Sequence, residues 1–454
     1  MIDIFSFLPI LIFMPFFATI FVLMSKKEQP SNIYNVCMLA ITSNLVIVLR
    51  FFHLIDTSTN SLQLITKIEW LKHLNISFVF GTDVFSLFLI LAVHIVFLII
   101  LSVVKTDTDH PKTLATFSMI FLSMITGLLI SCDLFSFYLF FEAILIPLFL
   151  LIGISGGLKK QGKVSTFLLY NMFFSLLLFV AIILLFNYNK EAYIMSNVHN
   201  IGLSSSMSYF IWGAIFLSLL SRLPIWPFHR MLSSITAELK NPLVFLIANL
   251  TPLTAIYGFA RLFPEAPEEI NLQIVLDILI IITMISMLFI SLIAFAHKDF
   301  QYKIFSYVSI VYLFYLVSIF CGDDRTNINI SLSFFGFILA TAGVKILWKQ
   351  YIDNNHSLSN YNRNIFKFFL FCLLGAPLSS MFLNNLSILS SLYQHNITEA
   401  CIVFLTFVIV GASLIDELIK VKISSEDKKK SKLLIFVCFI LLMSFVRPLW
   451  FVEL

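Results

Sequence analysis

The chain has 454 residues, 59% of them hydrophobic and only 12% charged, with a formal net charge of +4. Soluble domains carry about twice that share of charge, so a soluble globular class is excluded. The apolar runs are continuous rather than alternating, which excludes a transmembrane β-barrel, and 14 glycines and 13 prolines are too few for a linker-rich or disordered chain.

A crossing needs about 20 apolar residues. The pattern predicts fourteen, at 4–24, 33–55, 83–104, 113–131, 133–153, 165–187, 207–231, 241–263, 273–296, 302–321, 328–348, 367–392, 398–419 and 433–451. Met1-Ile2-Asp3 offers no basic leader region, so the first run reads as a retained helix. The fourth and fifth spans are joined only by the turn at Ser131-Cys132-Asp133. No connection is long enough for a soluble domain, so residues 1–454 read as a single integral membrane domain of the all-α polytopic class.

Basic residues sort by side. With fourteen spans, 22 of the 29 lysines and arginines fall on the side that holds the first loop, residues 25–32. The positive-inside rule puts that side in the cytoplasm and both termini outside.

Two spans carry helix-breaking signals. The seventh holds Pro224 and Pro227, and the twelfth holds Leu374-Gly375-Ala376-Pro377. Proline removes a ladder hydrogen bond, and broken helices at bilayer depth are tolerated only inside protein or beside a cavity. Five spans separate the breaks, so the two helices cross in opposite directions. The pattern predicts inverted five-helix repeats, 113–263 and 273–419, flanked by 4–24, 33–55, 83–104 and 433–451. Paired discontinuous helices point to an ion or substrate path.

Few ionisable residues lie away from the span ends: Glu142, Arg222, His94 and Lys345. A charge at bilayer depth costs at least roughly 2.5–3.5 kcal/mol. Glu142 therefore reads either as one member of a charge pair or as a protonated carboxyl packed between helices. Arg222 lies in the same half and is the matching cation, or else it snorkels to the cytoplasmic edge. His94 reads as a hydrogen-bonded structural histidine, and Lys345 as a snorkelling lysine one turn from a helix end. The six cysteines are scattered singly, with no Cys-x-x-Cys, which argues against an Fe–S cluster, a zinc motif or a disulfide framework. No Gly-rich dinucleotide fingerprint is present. No cofactor is expected on this chain, and nothing points to nucleic acid.

Asp133–Gly153 resembles the fifth-helix motif of the antiporter-like proton-translocating subunits of respiratory complex I, the NADH-quinone oxidoreductase subunit M (chain 4) family, related to subunits of multisubunit Na⁺/H⁺ antiporters. Arg222–His229 resembles that family's Lys-Met-Pro-x-x-Pro-x-His, and Tyr257–Arg261 its Tyr-Gly-Leu-x-Arg. Gly81–Ser86, Ala296–Asp299 and Leu374–Pro377 match weaker signatures in the right order, so the likeness covers about residues 70–392.

The resemblance implies a proton path through a Glu on the fifth helix, lysines on the seventh and eighth, and a Glu or Lys on the twelfth. Glu142 matches the first, and His229 and Glu238 match positions after the seventh helix. Arg222 stands at the seventh-helix lysine, Leu253 at the eighth, Asn385 at the twelfth-helix position, and Thr236 at a loop histidine. Arginine keeps its proton, and leucine and asparagine do not titrate.

The expectation is a divergent membrane-arm subunit of a proton-translocating NADH:quinone oxidoreductase with impaired proton translocation. The alternatives are a subunit of a monovalent cation/proton antiporter and a non-transporting scaffold paralogue. Partners would be other membrane subunits and lipid, in a bacterial inner or mitochondrial inner membrane.

Overall fold

The computed structural model describes residues 7–423 apart from 27–28, 58, 60, 72, 74–75, 105–109, 157–160, 189–193, 196–204, 230–234, 237–238, 264–271, 322–325, 355–356, 377–378 and 421. The expected last span, 433–451, lies outside the described residues. Two helices open the chain, α1 (Ile10–Met24) and α2 (Pro30–Leu54). A hairpin of β1 (Gln63–Leu71) and β2 (Ile76–Thr82) leads into α3 (Val84–Val104) and α4 (Pro111–Leu129). The fifth crossing is α5 (Leu134–Ala143) plus α6 (Leu145–Gly156), followed by α7 (Gln161–Tyr188) and α8 (Ser205–Leu220). The eighth crossing is α9 (Pro242–Asn249) plus α10 (Thr251–Leu262). Then come α11 (Leu272–Ala296), α12 (Phe300–Cys321) and α13 (Thr326–Asp353). The twelfth is α14 (Asn360–Leu373) plus α15 (Ser380–His395), and α16 (Ile397–Lys420) closes the described bundle. Among the described residues, ten crossings are long and apolar enough to span a bilayer, so this is a multi-pass membrane protein.

Burial separates centre from rim. The most apolar stretches of Pro242–Leu262 and Phe300–Cys321 are wholly or almost wholly buried, whereas those of Gly162–Tyr188 and Ile397–Ile415 are buried over only about a third of their residues. The middle of the molecule is therefore α9, α10, α12 and α13, while α7, α11 and α16 turn Phe173, Ile281 and Phe404 outward.

The broken crossings are where the sequence signals placed them, and there are two more. After α8 the chain runs through turns from Ser221 to Phe228, and the Trp226 amide donates to Ser286 Oγ of α11 at 2.9 Å. The twelfth crossing stops at Gly375, whose φ is +66°. Gly375 N donates to Cys372 O and Ala376 N to Phe371 O, a Schellman arrangement that needs a left-handed residue at that point. Tyr307 Oη donates to the Leu373 carbonyl, covering a group the break would orphan. Pro377 falls outside the described residues. A Cβ on Gly375 would meet Asn385 Nδ2 at 3.2 Å. Gly375→Ala is expected to lower stability by about 1–2 kcal/mol, read as an earlier thermal transition in detergent.

The additional dislocations are at Ile144 in the fifth crossing and Leu250 in the eighth. Pro147 and Pro252 explain them, because each removes one amide from the ladder. At the second, Thr251 Oγ donates to the Ala248 carbonyl at 2.8 Å, the acceptor Pro252 has no N–H to reach. Leu253 N bonds Leu250 O instead of the Asn249 carbonyl. Side chains thus satisfy what the breaks release, as a bilayer interior requires.

The helical bundle expected from the sequence carries one β-hairpin that the sequence pattern did not announce. β1 and β2 pair antiparallel from Gln63↔Thr82 to Leu71↔Ile76 with two irregularities in register. The first lies next to Leu64, which has a positive φ of 54°. The hairpin covers the turn between α4 and α5: Gly81 N donates to Ile130 O, and Cys132 N to Val79 O. Asp133 ties both together, accepting from Val79 N at 2.7 Å and capping α5 by accepting from Ser136 N at 2.7 Å.

Candidate functional site

The kinked fifth crossing carries Glu142 on the last turn of α5, and the loop after α8 carries Arg222. Their side chains meet: Arg222 Nη2 lies 3.9 Å from Glu142 Oε2. The Arg222 side chain is 1% exposed and that of Glu142 25%, so the arginine does not snorkel. Its guanidinium carbon sits 3.4 Å from the centroid of the Phe141 ring. None of the three guanidinium nitrogens makes a hydrogen bond, and neither does Glu142 Oε2. The separation exceeds a hydrogen bond, so the pair is held by Coulombic and cation–π attraction. Tyr138, one turn before Glu142, lies within electrostatic reach of both charges. This pair can neutralise itself inside the bundle but cannot release a proton through its cationic member.

The other expected site residues do not all join it. The His229 ring stands edge-on to Phe289 of α11 at 5.3 Å. Glu238 lies outside the described residues. Thr236 and Leu253 are buried. His94 is structural, as its isolation suggested: Nδ1 lies 2.9 Å from the Ile90 carbonyl and Nε2 3.1 Å from Asn44 Nδ2. With Nδ1 as donor and Nε2 as acceptor, both contacts are satisfied by the neutral ring.

Lys345 corrects an expectation. It is 2% exposed, its Nζ has no hydrogen-bond partner, and it rests 4.2 Å from the centroid of Phe245 on α9. The amine is held inside, between α13 and α9, rather than extended to the edge.

At the twelfth-helix position and beside the break in the eighth crossing, where the resemblance implies titratable groups, the structure has a row of neutral ones. Tyr312 Oη on α12 donates to the freed Asn249 carbonyl at 2.6 Å. One turn away, Tyr315 Oη donates to Ser333 Oγ on α13 at 3.0 Å. Ser333 Oγ in turn donates to Asn385 Oδ1 on α15 at 2.7 Å. The row links both broken crossings, the eighth and the twelfth, through the buried α12. Tyrosines and serines inside apolar spans gave no sign of it in the sequence, because only the fold brings them together.

A second cluster was half visible. The weaker motif Gly81–Ser86 and the motif Tyr257–Arg261 interlock. Arg261 grips Asp83 with both terminal nitrogens at 2.8 and 2.6 Å and reaches Ser86 Oγ at 2.6 Å. Asp83 caps α3 by accepting from Ser86 N at 2.9 Å, and Phe85 stacks on Tyr257 at 5.9 Å. Gly258 lets the helix pack closely there, since a Cβ would come within 2.6 Å of Leu219 Cδ2 and that side chain would have to shift. Burial pushes the Asp83 carboxyl up, but the charge and hydrogen bonds of Arg261 bring it below its ordinary value.

Broken helices with opposite charges meeting beside one break are an arrangement that membrane ion transporters use. The family model described as NADH:quinone oxidoreductase/Mrp antiporter, TM, matches residues 131–415, and the chain belongs to that family. It is 26% identical over 431 residues to NADH-quinone oxidoreductase subunit M of Rickettsia typhi, covering 89% of this chain and 85% of that protein. Its fold is similar to that of a chain in respiratory complex I from Thermus thermophilus with bound NADH, at a TM-score of 0.84 and 18% identity, covering 98% of this chain and 96% of that one. It also resembles a chain of the Mrp complex from Dietzia sp. DQ12-45-1b, at a TM-score of 0.80 and 13% identity, covering 98% of this chain and 50% of that one.

Proposed function

We propose that this chain is a membrane-arm subunit of a proton-translocating NADH:quinone oxidoreductase whose own proton path is interrupted. The observation that carries this reading is the direction of the central row. Tyr315 gives its hydrogen to Ser333 and Ser333 gives its own to Asn385, so the row ends on a carboxamide oxygen. A carboxamide neither stores nor releases a proton near neutral pH. At the other end, Tyr312 donates to a backbone carbonyl, which is equally inert. Arg222 keeps its proton, and Leu253 offers none. The Glu142–Arg222 pair then serves to lock the fifth crossing against the seventh.

The partners in this reading are other membrane subunits on the bundle's lipid-facing flanks. The location is a bacterial or mitochondrial inner membrane, with both termini on the non-cytoplasmic side. A second reading, a subunit of a monovalent cation/proton antiporter, is supported by the family description, which spans both kinds of complex. Co-purification in mild detergent separates them: peripheral redox subunits support the first reading and small antiporter subunits the second.

The interrupted path is tested by the double variant E142Q/R222M in the intact complex reconstituted in vesicles. Removing both charges together avoids stranding either one. Protons moved per NADH oxidised are expected to match the wild type. A reproducible drop in that ratio means the pair conducts, and the reading fails.

A further inference from the structure

On the face opposite the lysine-rich loops, three helix ends converge. Cys321 is the last residue of α12, His395 the last of α15, and Glu399 lies in the first turn of α16. His395 Nδ1 is 3.1 Å from Glu399 Oε2, Cys321 Sγ is 3.9 Å from the same oxygen, and all three atoms lie within 4.8 Å of one another. We propose that Cys321, His395 and Glu399 form a binding site for a borderline-soft divalent cation of the Zn²⁺ type.

The donor set is the first argument. A thiolate, an imidazole and a carboxylate are the three side-chain ligands zinc takes, and a thiolate disfavours Mg²⁺ and Ca²⁺, which prefer oxygen alone. Geometry is the second. Zinc bond lengths of roughly 2.0–2.3 Å in a tetrahedron require ligand atoms about 3.3–3.7 Å apart. The separations of 3.1 and 3.9 Å bracket that range, and the His395 side chain, 42% exposed, has room to adjust the third.

Charge is the third argument. Thiolate and carboxylate together supply two negative charges, which Zn²⁺ cancels, and binding releases the thiol proton to water. Asp277, near the start of α11, lies within electrostatic reach of Cys321. Its charge adds to the negative field that favours a cation there, and water is the fourth ligand. No spacing in the sequence announces the site, because its ligands come from three helices. A bound ion would cross-link α12 to α15, the outer half of the broken twelfth crossing.

The test is zinc content and Zn²⁺ titration of the intact complex, comparing wild type with C321S and H395Q. Each variant is expected to lose one zinc equivalent per chain, or to bind Zn²⁺ at least tenfold more weakly, with no change in Ca²⁺ binding. Peptide-level maleimide labelling provides a second reading: Zn²⁺ is expected to protect Cys321 and not the exposed Cys401. Equal zinc content and affinity in wild type and both variants would overturn the proposal.

Discussion

Glu142→Gln is expected to destabilise the protein by about 3–5 kcal/mol, the usual cost of stranding a buried charge, and Arg222→Met by no more than about 1–2 kcal/mol. The asymmetry follows from what each survivor can do. Without Glu142, the guanidinium stays ionised among Phe141 and its apolar neighbours, with no acceptor on any nitrogen. It cannot discharge at any accessible pH. Without Arg222, the Glu142 carboxyl is left a quarter exposed, so water can reach it and most of the penalty is avoided. Thermal unfolding in detergent gives the ranking, and the double variant E142Q/R222M should return to within about 1 kcal/mol of wild type. If the two single variants prove equally mild, the pair contributes nothing to the fold.

Breaking the Asp83–Arg261 clamp is the second large effect. Asp83→Asn should cost about 3 kcal/mol, because the buried guanidinium loses a bidentate carboxylate. Arg261→Lys should cost roughly half as much, since an ammonium keeps the charge but not the two-pronged geometry. The clamp joins the start of α3 to the end of α10, so the damage should appear first as protease sensitivity at the neighbouring hairpin. Its pH dependence has a definite sign. Arg261 holds the folded Asp83 carboxyl below its ordinary value. The stabilisation is therefore present above the unfolded value, near pH 4, and is lost as pH falls further. D83N should abolish that acid-side loss, and an unchanged acid transition in D83N would assign it elsewhere.

The crossings and the charge pair were legible in the sequence for the same reason. In an apolar run, a single carboxylate or guanidinium stands out against its surroundings, and Glu142 and Arg222 each did. The proline pair at 224 and 227 marked one break and Gly375 the other. The lone Pro147 and Pro252 did not stand out, because one proline in a span is compatible with an unbroken helix, and here each dislocates it. The hairpin escaped because its alternating stretches, Lys67 to Trp70 and Leu74 to Phe78, are too short to separate from a loop. Lys345 was misread by proximity: the apolar run ends at 348, one turn beyond it, but α13 continues to Asp353 and the amine rests against Phe245 inside the bundle. The Tyr315–Ser333–Asn385 row was hidden entirely, since hydroxyls are ordinary in membrane helices and carry no pattern until three crossings are assembled around them.

The outward-facing phenylalanines and isoleucines of α7, α11 and α16 have a consequence for assembly. Lipid tails solvate such side chains as well as another protein would, so burying them against a neighbour yields little from the hydrophobic effect. Cohesion along these flanks must come from close steric fit and from the entropy of acyl chains set loose at the contact. Detergents that mimic acyl chains would then compete for those surfaces directly, and the choice of solubilising agent would decide whether the chain is isolated alone or in company.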